Sequence, residues 1–76
     1  MAEAVQDLVP IDVYQQTRSH VFPSIQSVRW YVRNHREALI QADALVMLNR
    51  RYLVVPGAFD AYAMRAARET ARQAAP

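Results

Sequence analysis

Around residue 43 the apolar pattern of this chain changes period, and that change constrains the fold more than any other feature. Ile25, Val28, Val32, Leu39 and Ala42 recur at three- and four-residue steps, the spacing that puts side chains on one face of an α-helix. Immediately afterwards Leu45-Val46-Met47-Leu48 and Tyr52-Leu53-Val54-Val55 form two short runs of branched and aromatic residues separated by Asn49-Arg50-Arg51, which reads as strand, turn, strand. A β-hairpin is therefore predicted directly behind a long helix. Asn49 suits the turn because it tolerates the positive φ that tight hairpins need.

The helix has a defined start. Pro23 restricts Phe22 to extended backbone, and Ser24 is a good N-cap. Asn34 followed by Glu37 can form a capping box, so residues 24–42 read either as one helix or as two joined by a tight turn, with the same faces in both versions. Upstream, Asp12 serves as N-cap for two turns over Val13 to Arg18, and residues 1–10, ending at Pro10, read as a flexible arm. Pro56 and Gly57 close the second strand. From about Ala58 to Ala74 an alanine-rich segment with Phe59, Tyr62, Ala63, Ala66 and Thr70 along one stripe predicts a terminal helix. The expected fold class is α+β, mainly α, with one domain over 11–75.

A chain of 76 residues buries only about 60% of its unfolded surface, so the core must be simple. About a third of the hydrophobic residues are alanine, leaving the aliphatic and aromatic positions to build it. The absence of cysteine excludes a disulfide framework and a thiolate nucleophile, and neither His20 nor His35 has a carboxylate at ligand spacing, so no metal or other cofactor is expected. With Gly57 as the single glycine there is no glycine-rich phosphate loop, and no acid pair or Ser-His-Asp ordering suggests catalysis. A non-enzymatic protein is expected. The apolar runs are too short to span a bilayer and the N-terminus is acidic, which leads to an expectation of a cytoplasmic, nucleoid-associated protein with no membrane partner.

Charge is uneven along the chain. Residues 1–17 carry Glu3, Asp7 and Asp12 and no base, whereas Arg18 to Arg51 holds six arginines against Glu37 and Asp43. Every basic residue is arginine, which favours planar contacts to phosphate or guanine, although a GC-rich genome produces the same bias. On a helical wheel of residues 24–36, Ile25, Val28, Tyr31, Val32 and His35 share one side. Gln26, Ser27, Trp30, Arg33 and Asn34 lie opposite, with Arg29 and Arg36 on a flank. Such a face suits a major groove, yet any solvated helix is polar opposite its apolar stripe. Trp30 distinguishes this one, since a large aromatic on a polar face calls for a cover: the protein itself, a partner protein, or DNA. Arg50 and Arg51 at the hairpin tip are placed to reach phosphates or a minor groove, or else form a solvated turn. Arg65 and Arg72 share a face with Glu69 and read as intrahelical pairs.

The segments Phe22-Pro23-Ser24, Val28-Arg29-Trp30-Tyr31-Val32-Arg33, Ala44-Leu45, Arg51-Tyr52-Leu53-Val54-Val55-Pro56 and Phe59-Asp60 together resemble the excisionase and AlpA-like regulators of phages and integrative elements, small relatives of the MerR-type winged-helix domain. The resemblance covers about residues 12–62. It implies a winged helix-turn-helix with a two-stranded hairpin wing and a C-terminal helix. Val28, Tyr31 and Val32 would form the core of the recognition helix, and Tyr52, Val54 and Phe59 would anchor the wing. The implied function is sequence-specific binding of double-stranded DNA in excision, transcription or plasmid maintenance. The resemblance turns Gln26, Ser27, Trp30 and Arg33 toward DNA and puts Arg50 and Arg51 on the wing, and the helical face and the turn add Ser24, Arg29, Asn34, Arg36 and Asn49 as expected DNA contacts. Because a single module of this kind covers only about 600 to 1,000 Å² of its surface on DNA, a homodimer or cooperative multimer, or a protein partner such as an integrase, is expected. The alternative is a protein-interaction module that docks through Trp30 and the alanine-rich C-terminal helix.

Overall fold

The computed structural model describes residues 5–74 and is a mainly helical α+β fold. After a 3-10 turn at Val5–Asp7 come β1 (Val9–Pro10), α1 (Ile11–Thr17), α2 (Ile25–Gln41), β2 (Leu45–Leu48), β3 (Arg51–Val54) and α3 (Pro56–Ala74). The strands form one antiparallel sheet in the order β1-β3-β2. The hairpin and the long helix stand where the change of period puts them.

The third strand is a departure from the sequence reading. Val9 pairs with Val54 and Pro10 with Leu53, so this part of the expected arm over 1–10 is structured; residues 1–4 lie outside the described residues, as does residue 75 of the expected domain. Proline is tolerated there because β1 is an edge strand. Pro10 is also the N-cap of α1, which moves Asp12 from the expected cap into the first turn. β3 ends ahead of Pro56 and Gly57 as expected, but the terminal helix expected from about Ala58 already opens at Pro56, a first-turn position where its missing N–H is no loss.

The core unites all these elements. Tyr14, Val28, Leu39, Ala44, Leu45, Val54 and Phe59 are buried almost completely, with Phe22 and Val32 beside them. Tyr31 and Tyr52 pack against this cluster from its edge. Burial of Val28, Val32 and Leu39 shows that α2 keeps one phase throughout, even though it bends at His35, whose φ of −125° and ψ of 18° are not helical. In place of a capping box with Glu37, the Asn34 side-chain amide donates to the Trp30 carbonyl at 2.7 Å, a local bond that competes with the helical ladder and bends it. His35 is held at the bend by stacking on Tyr31, centroids 4.2 Å apart, with its Nδ1 2.9 Å from the Tyr62 hydroxyl.

Helix α2 ends in a complete Schellman motif. The Ala44 N–H donates to Leu39 O and the Asp43 N–H to Ile40 O, with Asp43 in the left-handed region at φ 59° where glycine is the usual residue. That tight turn delivers the chain straight into β2. On α3 only the first turns pack: Phe59 is buried, Tyr62, Ala63 and Ala66 are half-buried, and Thr70, expected on the same stripe, is exposed. Among the described residues no helix is long and apolar enough to cross a membrane.

Candidate nucleic-acid interface

The N-terminus of α2 is built by a reciprocal capping box. The Ser24 hydroxyl accepts from the Ser27 N–H at 3.2 Å, and the Ser27 hydroxyl accepts from the Ser24 N–H at 3.3 Å while donating to Ser24 O at 2.6 Å. Both hydroxyls are therefore used within the chain, and Ser27 is half-buried. Asn34 spends its amide on the Trp30 carbonyl. Of the expected contact residues on the helix, Gln26, Arg29, Trp30, Arg33 and Arg36 are left with exposed side chains that no hydrogen bond ties down. Trp30 is 61% exposed, so the protein does not supply its cover.

The hairpin carries the second group. Asn49 and Arg50 form the two-residue turn, both left-handed at φ 54° and 64°, the signature of a type I′ turn. Arg51 belongs to β3, opposite Leu48, where the sequence reading put it in the turn. Since side chains alternate along a strand, Leu45, Met47, Tyr52 and Val54 share the core-side face, and Leu48 and Arg51 share the other. Arg51 thus points away from the buried face, while Arg50 occupies the tip. Asn49, Arg50 and Arg51 are all exposed.

Arg36 joins the two groups. Its guanidinium lies 5.8 Å from the centroid of the Tyr52 ring, a cation–π distance, so one arginine reaches from α2 to the hairpin. Arg33, Asn34, Arg36, Glu37 and Ile40 line a shallow open depression beside it. Between Arg29 and Arg36 this surface has three arginines and no acid before Glu37.

A polar cluster that the sequence reading missed locks the other side of the helices. Arg18 holds Asp60 in a two-point grip, Nε to Oδ1 at 3.0 Å and Nη2 to Oδ2, and the Tyr14 hydroxyl donates to the same Oδ1 at 2.6 Å. The hydrogen bond from Arg18 holds the Asp60 carboxyl below its ordinary value, and burial, helped by Asp60, pushes the Tyr14 hydroxyl up. No local pattern links residues 42 positions apart. The 18–24 connection is closed by backbone bonds from Val21 and Phe22 to Arg18 O and by the Gln15 side chain on Phe22 O. On α3, Arg72 pairs with Glu69 at 3.0 Å, whereas Arg65 sits over the Tyr62 ring instead of pairing with an acid.

No family model, curated protein or solved structure matches this chain.

Proposed function

We propose that this protein is a winged helix-turn-helix DNA-binding module that enters a major groove with the outer face of α2 and holds the flanking backbone with the hairpin as a wing. The observation that carries this reading is the bridge from Arg36 to Tyr52. It ties the arginine face of α2 to Tyr52 of the hairpin, two residues along the chain from the Arg50 tip. Gln26, Trp30 and Arg33 are the base-reading candidates. Arg29, Arg36, Arg50 and Arg51 are suited to phosphates, which orient a protein on duplex without reading it. Ser24, Ser27 and Asn34 act by shaping the helix, their side-chain groups being committed to its cap and its bend. The excisionase-like role belongs to the same proposal: a regulator of recombination or transcription on a mobile element, working as a dimer, a cooperative array or beside an integrase.

The test is duplex binding at several salt concentrations by the parent and by the Arg50→Ala, Arg51→Ala double variant. Each lost phosphate contact lowers the slope of log affinity against log salt by about 0.9, so a drop of about one to two units is expected on every sequence. A folded double variant with the parent's slope and affinity refutes the winged mode of binding. A second reading, a protein-interaction module, draws on Val21 and Met64, 57% and 51% exposed beside the small-residue face of α3. Absence of duplex binding at both low and high salt favours it.

A further inference from the structure

We propose that Trp30 reads thymine: that its indole covers the C5-methyl group of a thymine in the major groove and makes that base a requirement of the bound site. The inference rests on the DNA-binding reading above and adds the chemistry that Trp30 recognises.

Trp30 is not a core residue left partly uncovered. The buried face of α2 is made by Val28, Val32 and Leu39, and at 100° per residue Trp30 lies 200° from both Val28 and Val32. One turn away on either side stand Gln26, Ser27, Arg33 and Asn34. Ser27 has turned its hydroxyl and Asn34 its amide N–H back onto the helix, which leaves the indole bordered by two outward-reaching donors, Gln26 and Arg33. The result is an apolar plate in the middle of an otherwise basic, hydrogen-bonding surface. An apolar protein partner that covered the plate would also have to strip water from the flanking amide and guanidinium. A duplex answers all three side chains, because phosphate or guanine takes Arg33, adenine or phosphate takes Gln26, and the groove wall takes the plate.

Within the major groove the choice of base is narrow. Thymine alone offers a methyl group, and it carries an acceptor, O4, beside it; guanine offers acceptors without a methyl, cytosine offers a donor, and adenine offers a donor with an acceptor. An indole is an apolar ring with a single N–H donor and no acceptor. Methyl plus O4 is the edge that satisfies both parts of it. Gln26 to Arg33 spans roughly 10 Å along the helix at 1.5 Å per residue, about three base-pair steps of 3.4 Å, so the thymine is flanked directly by whatever Gln26 and Arg33 contact.

The experiment uses the whole chain. Duplexes bound most tightly are selected from a random library, and the best is remade with deoxyuridine in place of every thymidine, which keeps pairing and O4 and removes only the methyl. The parent is expected to lose about fourfold in affinity for each methyl covered, the equivalent of about 0.8 kcal/mol per buried carbon, and Trp30→Ala is expected to bind both duplexes equally. Trp30 is the single tryptophan, so its emission reports the contact in the unmutated protein and decides the matter even if the variant binds too weakly to compare. A blue shift or quench on the thymine duplex, smaller on the uracil duplex, is expected. Equal affinity and equal emission on the two duplexes, with an intact salt slope, overturn the thymine contact and leave DNA binding standing. So does a fourfold preference that survives in Trp30→Ala, whereas failure to bind any duplex overturns both readings.

Discussion

Replacing Arg50 by glycine separates what this residue costs the fold from the role proposed for it at the hairpin tip. Arg50 sits at φ 64° and its side chain is exposed, so truncation forfeits no packing. An L-residue in left-handed backbone carries about 1 to 2 kcal/mol of strain that glycine lacks. Against this, glycine loses roughly 0.5 to 1 kcal/mol more conformational entropy on folding. Midpoint against midpoint, the balance is a net gain of about 0.75 kcal/mol, within limits of about 0 and 1.5. For a domain of this size the central value corresponds to a rise of about 3 to 6 °C in the melting midpoint. Arg50→Ala keeps the Cβ atom and therefore the strain, so its midpoint should stay close to the parent's. Both variants should lose the same amount of salt-dependent affinity for duplex, about 0.9 in slope if Arg50 contacts one phosphate. Thermal melts of the three proteins and salt titrations on one duplex measure both quantities. A midpoint that falls in Arg50→Gly, or that rises equally in Arg50→Ala, refutes the strain argument. A higher midpoint with an unchanged slope leaves the turn geometry standing and removes Arg50 from the interface.

Val32→Ala, which empties part of the core beneath Trp30's helix, is expected to cost about 1 to 3 kcal/mol in chemical denaturation, and an unchanged stability contradicts the phase of α2. Gly57→Ala is expected to stabilise by about 0.5 to 1 kcal/mol, since nothing lies within 4 Å of the added Cβ in this first turn of α3; a lower melting midpoint counts against that helix start. The Asp60 cluster predicts two pH limits. Asp60 titrates below its usual 3.8 in the folded protein, so its contribution is complete above about pH 4 and is lost as pH falls, and Asp60→Asn should flatten the acid limb of a midpoint-against-pH curve. Tyr14 titrates above its usual 10.0, so its contribution is complete below pH 10 and is lost as pH rises. Tyr14→Phe should remove that alkaline limb and cost about 1 kcal/mol at neutral pH, the low side for a charged acceptor because water reaches Asp60.

Local pattern was enough to specify the elements that have a repeating signal or a strong punctuator. Apolar spacing identified the buried face of α2 through Val28, Val32 and Leu39, Pro23 and Ser24 marked its start, and the run from Leu45 to Val55 marked the hairpin with Asn49 in its turn. The same wheel put Gln26, Trp30 and Arg33 on the exposed side. Tertiary structure decided what no local pattern encodes. Two residues, Val9 and Pro10, have no period, and they become a strand only because β3 offers an open edge. Asn34 had two local choices, and its bond to the Trp30 carbonyl, with His35 stacked on Tyr31 and bonded to the Tyr62 hydroxyl, goes with a kink at His35 in place of the capping box. Asp43 takes a glycine conformation because the Schellman bonds from Asp43 and Ala44 hold it there. The grip of Arg18 on Asp60 and the reach of Arg36 to Tyr52 depend on how helices and sheet pack, which is settled by burial of the shared aromatic core and not by any spacing along the chain. Periodicity reports which way a side chain faces; only packing determines what it meets.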